Sequence, residues 1–212
     1  MRDAPFRRLV LATHNGGKLR EFRTLFAPFD VEITSAGELG LPVPDETGAT
    51  FEENAALKAR AAGEALDPAE GEWALADDSG LCVAALGGRP GIHTADWAET
   101  GNGRDFTVAM ERVERELEGH ADRSGYFCAV LCLRAPDGSE RFFRGEAHGT
   151  LVWPPRGELG FGYDPVFRPE GHERTFGEMG EAEKHSWSPG ETGLSHRARA
   201  FGMLAEAVLR PK

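Results

Sequence analysis

Apolar side chains recur along this chain with two different periods, and the alternation between them predicts its elements. Residues 7–13, "RRLVLAT", read as a strand, and Leu19, Phe22 and Phe26 then follow at helical spacing. Thr50-Phe51-Glu52-Glu53 is a capping box that opens a helix through about Leu66, with Leu57 and small alanines inside. "WALADD" at 73–78 predicts a short strand. Phe106, Ala109, Met110, Val113 and Leu117 mark an amphipathic helix whose Glu/Arg run at 111–118 faces water. "YFCAVLCLR" and "ERFFRGEAHGTLVW" predict a long hairpin across the turn Pro136-Asp137-Gly138. A last helix starts near Ser195, with Phe201, Leu204, Val208 and Leu209 inside. Strands alternating with helices around one hairpin imply an α/β fold with a mixed sheet. With no repeat and no linker, 1–212 is expected to be a single domain.

The 40% hydrophobic content of 212 residues is enough for a core. No apolar stretch approaches the roughly 20 residues of a membrane span, and "MRDAPFRR" lacks a signal peptide's apolar segment, so the expected location is cytoplasmic. Three cysteines, Cys82, Cys128 and Cys132, favour neither a disulfide scaffold nor a zinc site. A net charge of −11 without a Lys/Arg stripe argues against nucleic-acid binding. A small polyanion remains open as a partner, given local cations or a metal.

Three stretches carry candidate chemistry. In "LVLATHNGGKLR" a strand ends in Thr13, His14, Asn15, Gly16 and Gly17, then leads through Lys18 into a helix. Such a junction offers backbone N–H groups at the positive end of a helix dipole, an anion site to which Lys18 adds a cation. The spacing is not that of a Walker A loop. Alone, the stretch is as well read as an ordinary tight turn. "PDETG" at 44–48 and "ADDSG" at 76–80 place Asp45, Glu46, Asp77 and Asp78 in turns or strand ends, and their convergence would suit Mg²⁺; solvated turns are the bland alternative. "GFGYDP" at 160–165, Lys184 and "SHRARAF" at 195–201 offer an aromatic face and polar donors to a planar ring, unless Ser195 merely caps a helix and its neighbours face water.

The combination and order of these blocks resemble the inosine triphosphate pyrophosphatase family over nearly the whole chain. "LATHNGGKLREF" is similar to its opening Thr-x-Asn-x-x-Lys motif, "ETGATFEENAALKA" to its acidic segment, and "LADDSGLCVAALGGRPGIHTA" to its central signature. "FGYDPVF" and "LSHRARA" resemble its base-binding motifs. The resemblance implies an elongated α/β fold of two lobes around a nucleotide cleft, and a homodimeric, Mg²⁺-dependent enzyme. It would cleave non-standard purine nucleoside triphosphates (ITP, dITP, XTP) between the α- and β-phosphates.

Carried over by position, the resemblance implies that Thr13, Asn15 and Lys18, in the loop with His14, Gly16 and Gly17, hold the triphosphate, as does Lys58 on the helix after the acidic turn. Asp78 is the general base and a metal ligand, supported at the metal by Asp45, Glu46 and Asp77, while Ser79 touches substrate. Phe161, Gly162, Tyr163 and Asp164 match the Phe-Gly-aromatic-Asp motif, Lys184 a phosphate-facing Lys, and His196-Arg197 the base-reading pair. Donors there fit a 6-keto purine and reject adenine. "GGRPGIHTADWA" at 87–98, with Pro90, Ile92 and Trp97, has the composition of a dimer interface. Two departures stand out: His14 replaces a common Gly, and "HSWSPGETGL" at 185–194 lengthens the usual short link between Lys and Ser-His-Arg, as a surface loop or part of a lid. A Maf-type pyrophosphatase or a non-catalytic nucleotide-binding module are the competing readings. The Ser-His-Arg and Phe-Gly-Tyr-Asp motifs speak against the first, and the Asp77-Asp78 pair against the second.

Overall fold

The computed structural model describes residues 4–209, so the expected domain limits of 1–212 reach past it at both ends. Apolar β1 (Arg8–Leu11) turns at Asn15 into α1 (Gly16–Phe26), followed by β2 (Glu32–Ser35). Thr50 starts α2 (Phe51–Glu64) by accepting from the Glu53 N–H, and Glu53 reaches back to the Ala49 N–H, one residue short of a reciprocal box. Then come β3 (Trp73–Val83), the small ribbon β4 (Glu99–Thr100) and β5 (Gly103–Arg104), and α3 (Phe106–Glu116). The expected hairpin is β6 (Ser124–Arg134) and β7 (Glu140–Leu151), joined at one edge by β8 (Phe167–Pro169). Short α4 (Glu181–His185) precedes α5 (His196–Val208), capped by Ser195.

Six strands form one mixed sheet in the order β2-β1-β3-β6-β7-β8, parallel across β2-β1-β3 and antiparallel beyond. Because successive side chains of a strand point to opposite faces, β3 serves two environments. Leu75, Leu81 and Val83 join clusters built with α1, α5 and α3, whereas Ala76 and Cys82 pack under α2 with Cys128 and Cys132. Phe26 meets Phe201 edge-on at 4.9 Å and so ties α1 to α5.

Two glycines in strand interiors mark close backbone approaches. A Cβ at Gly80 would lie 2.2 Å from the Gly91 carbonyl oxygen. One at Gly145 of β7 would lie 2.2 Å from the His196 oxygen and 2.3 Å from the Ala200 nitrogen. Gly145 is therefore the seat on which the first turn of α5 rests. Among the described residues, no helix is long and apolar enough to cross a membrane.

Candidate active site

The "ADDSG" stretch is not a turn. Asp77, Asp78, Ser79 and Gly80 lie inside the 11-residue strand β3, which corrects the expectation of a strand end there. Pairing with β1 stops where Leu11 faces Leu75, and β3 continues to Val83 while β1 gives way to the Thr13–Lys18 loop. One edge of β3 is thereby left beside the carboxyl end of a parallel strand, the usual place for ligands in open α/β sheets.

The period of the strand separates the two aspartates. Asp77 and Ser79 share the face covered by α1 and α5. Asp77 Oδ2 receives Lys18 Nζ at 2.6 Å and Arg197 Nη2 at 3.1 Å, and the Ser79 hydroxyl lies between it and Arg197. Burial pushes the Asp77 carboxyl up, but Arg197 and then Lys18 outweigh it and hold it far below the usual carboxylate range. Asp78, on the other face, pairs through Oδ1 with Lys58 Nζ at 2.7 Å, and Lys58 also reaches Glu46 at 3.2 Å. Burial raises Asp78 to about 6, with Lys58 opposing the rise. For Lys58, burial is outweighed by Asp78 and Glu46 and its pKa rises, whereas desolvation leads for Lys18 and lowers its pKa.

The four expected metal carboxylates do not gather. Asp45 is exposed in the 37–50 segment, Asp77 is consumed by cations on the opposite face from Asp78, and Glu46 alone shares a partner with Asp78. Among the described residues, no three His, Cys, Asp or Glu side chains are placed to hold one ion.

The loop after β1 also differs from expectation in one respect. Asn15 Oδ1 accepts from the Gly17 and Lys18 N–H groups at 2.8 and 3.2 Å, so it takes up two amides that were expected to face an anion. Thr13 Oγ1 accepts from the Asn15 N–H. His14 Nε2 donates to the Leu41 carbonyl at 2.8 Å and ties this loop to the segment that carries Glu46.

A pocket opens on the α5 side of β3, lined among others by Ser79, Phe127, Phe161, Gly162, His196 and Arg197. Phe161 is 48% exposed, whereas Tyr163 is buried, donates to the Thr94 carbonyl and meets Phe106 edge-on. Of the two aromatics in the motif, only Phe161 has a free face. Asp164 accepts from Lys184 Nζ at 2.8 Å and from the Phe161 N–H. Gly160, at φ +80°, wraps this pair so closely that a Cβ would lie 2.0 Å from Asp164 Oδ2.

His196 and Arg197 are both buried, against the reading in which they face water. The His196 ring stacks on Phe127 at 5.0 Å and Nδ1 has no hydrogen-bond partner among the described residues. Burial and then Arg197 lower its pKa to about 3, so the ring is neutral at physiological pH. Arg197 donates from Nη1 to Glu21 at 2.6 Å, from Nε and Nη2 to Asp77, and from Nη2 to Ser79. Four of its five N–H groups are thus engaged within the protein.

Glu21 is a central residue that the sequence reading missed. Burial pushes it up, but Arg197 and His185 hold it at about 2. Its trace in the sequence is a carboxylate three residues after Lys18, on the face of α1 that carries Phe22 and Leu25. Phe127, hidden in an ordinary strand run, was missed with it. In the 87–98 segment Pro90 and Trp97 are buried within the chain, with the Arg112 guanidinium 3.9 Å from the centre of the Trp97 ring, and Ile92 is half-buried.

Comparison with known proteins shows the family to which the chain belongs. A family model described as Ham1 family matches residues 9–207. A dITP/XTP pyrophosphatase of Mesorhizobium japonicum is 59% identical over 210 residues, covering 96% of this chain and 94% of that protein. One of Brucella melitensis is 56% identical over 209 residues, covering 95% and 93%. The solved Ham1 protein of Staphylococcus aureus superposes with a TM-score of 0.80 at 32% identity, covering 94% of this chain and 97% of that one. The match spans the Thr13–Lys18 loop, the aspartates of β3 and the buried start of α5, and the chain belongs to the Ham1 family.

Proposed function

We propose that this chain hydrolyses ITP, dITP and XTP to the nucleoside monophosphate and pyrophosphate. The observation that carries the reading is the pairing of Asp78 with Lys58 at the open edge of β3, one residue along from Asp77 and Lys18 and beside an aromatic pocket with a neutral histidine. The names of the relatives support it, since both curated ones above are dITP/XTP pyrophosphatases.

In this reading Lys18 and Lys58 turn toward the triphosphate, where their charge offsets the developing negative charge that dominates phosphoryl transfer. Thr13, Asn15 and Ser79 supply neutral polar contacts, and Lys184 a further cation beside Asp164. Asp78 takes a proton from water as its oxygen attacks the α-phosphorus, the bond to the β-phosphate bridging oxygen breaks, and pyrophosphate leaves. A carboxylate poised at about 6 is deprotonated at neutral pH yet basic enough to orient and accept that proton.

A divalent cation fits one part of this arrangement. Asp78 Oδ2 is buried without a hydrogen-bond partner among the described residues, and Glu46 stands on the same lysine. One or two carboxylates with waters and substrate oxygens are the usual protein share of a Mg²⁺ site. Asp78 and Glu46 would hold it, and Asp77 and Asp45 would not. When bound, Mg²⁺ supplies charge neutralisation and a more acidic water.

For the base, Phe161 offers a stacking face, and His196 Nδ1 with the Arg197 guanidinium offers polar contacts to the 6-keto edge. A homodimer and a cytoplasmic location complete the reading, the first to be checked by light scattering. The decisive screen measures pyrophosphate released from ITP, dITP, XTP, dUTP and the standard triphosphates with Mg²⁺. Preference for the keto purines without a 2-amino group supports the proposal. Binding without turnover would instead identify a nucleotide-sensing module, and preference for other bases a Maf-type activity.

A further inference from the structure

The segment between Lys184 and Ser195 is pinned at several points rather than loose. The Ser195 N–H donates to the Lys184 carbonyl at 3.0 Å, which closes the base of the excursion. Near its start, the Trp187 ring stacks on Phe29 at 6.2 Å and meets Phe201 edge-on at 5.3 Å. Gly202 of α5 admits that indole, since a Cβ there would lie 2.7 Å from Trp187 Nε1. Near its end, Arg199 Nε of α5 donates to the Gly193 carbonyl at 2.9 Å. His185 and Trp187 are therefore bound against the α1–α5 core, which does not suit a lid at these two positions, while Ser186 between them is exposed.

His185 connects this segment to the pocket. Its side chain is only 14% exposed and lines the same pocket as His196 and Arg197. Nδ1 lies 2.7 Å from Glu21 Oε1 and 3.1 Å from the Ser195 hydroxyl, which caps α5 by accepting from the Ala198 N–H. The approach to Glu21 is a close ion-pair contact rather than a directed hydrogen bond, since Oε1 has no hydrogen-bond partner among the described residues, and the hydrogen bond of Nδ1 is with the Ser195 hydroxyl. The other oxygen of Glu21 receives Arg197 Nη1. One imidazole thus orients both the carboxylate that holds Arg197 and the cap that starts the helix carrying His196.

We infer that His185, held in place by Trp187, is a positioning residue for base discrimination: through Glu21 and Ser195 it fixes the pair that faces the purine edge. The inference rests on the functional reading above and adds to it a residue that does not itself touch substrate. With His185 absent, Glu21 keeps Arg197 but loses its second orienting contact. The Arg197 guanidinium and the neutral His196 then lose alignment toward the ring, while the phosphate-facing Lys18 and Lys58 are untouched.

The test uses His185→Leu, which removes the imidazole, and His185→Asn, whose amide nitrogen replaces Nδ1. Affinities for IMP and AMP are measured by calorimetry, and kcat and KM for ITP and ATP by pyrophosphate release. His185→Leu is expected to weaken IMP about tenfold and AMP less than twofold, to raise KM for ITP more than it lowers kcat, and to be largely restored by Asn. In a Glu21→Gln background the same change should have little further effect. Equal loss for IMP and AMP, no rescue by Asn, or multiplicative effects of the two substitutions would overturn the inference. Wild-type protein that does not prefer IMP to AMP would overturn the functional reading and this inference with it; wild-type preference retained in His185→Leu overturns the inference alone.

Discussion

Replacing Arg197 by Met leaves Glu21 and Asp77 buried without the cation they share, and the consequence can be worked from their ionisation. Glu21 is held at about 2 against an ordinary value of 4.5, a shift of roughly 2.5 units that corresponds to about 3 kcal/mol of stability at neutral pH. Arg197 leads the interactions that lower it, and also leads those that depress Asp77. His185 and Lys18 remain on one carboxylate each and soften the loss. The expected cost is about 3–5 kcal/mol, the usual penalty for removing one partner of a buried ion pair. The sign of its pH dependence follows. Depressed carboxylates contribute stability above their unfolded values of 4.5 and 3.8, and that stability is lost as pH falls toward the folded values. In the variant, burial dominates and raises both groups, so its penalty is largest at neutral pH and is relieved as the carboxyls take up protons. Urea unfolding followed by circular dichroism at pH 7.5 and pH 5 measures both quantities. With a slope of about 2 kcal/mol per molar urea, the midpoint should fall by roughly 1.5–2.5 M at pH 7.5 and by clearly less at pH 5. A cost below about 1 kcal/mol, or the same cost at both pH values, would show that Arg197 does not hold the two carboxylates together.

Gly145→Ala should lower the melting temperature and impair turnover together, at a cost of about 2 kcal/mol or more, because its Cβ meets the backbone of His196 and Ala200; calorimetric melting beside an ITP assay reads both. Lys58→Met removes the cation that opposes the rise in Asp78's pKa. The acid limb of kcat/KM should then move upward by about 1–3 pH units with the plateau also reduced, and an unmoved limb would assign it to another group.

Long periodic elements were legible in the sequence because their burial pattern is written in consecutive residues. The caps at Thr50 and Ser195, the hairpin across Pro136 to Gly138, and α3 all fall where the pattern placed them. The centre of the site was misread for a physical reason. Asp-Asp-Ser-Gly has the composition of a turn, yet it continues a strand whose two faces carry different partners. The period of two then separates carboxylates that are adjacent in the chain. Gly80 is required there by the approach of the Gly91 carbonyl, which no local pattern encodes. β2 and β8 are four and three residues long, too short to show a period, and β8 ends in a proline. The Glu21, Arg197 and Asp77 network joins residues far apart in sequence, so its members could be singled out only one at a time. Lys18 and Arg197 stood out through their motifs, whereas Glu21 and His185 did not.

The central claim is that Asp78 delivers water to the α-phosphorus of a keto-purine triphosphate. It is tested most directly by turnover of ITP in ¹⁸O-labelled water with Mg²⁺, with mass analysis of the products from the wild type and from Asp78→Asn. The account predicts inosine monophosphate carrying one labelled oxygen, unlabelled pyrophosphate, and almost no turnover in the variant. Label in pyrophosphate or in free phosphate, or wild-type turnover by Asp78→Asn, would contradict it.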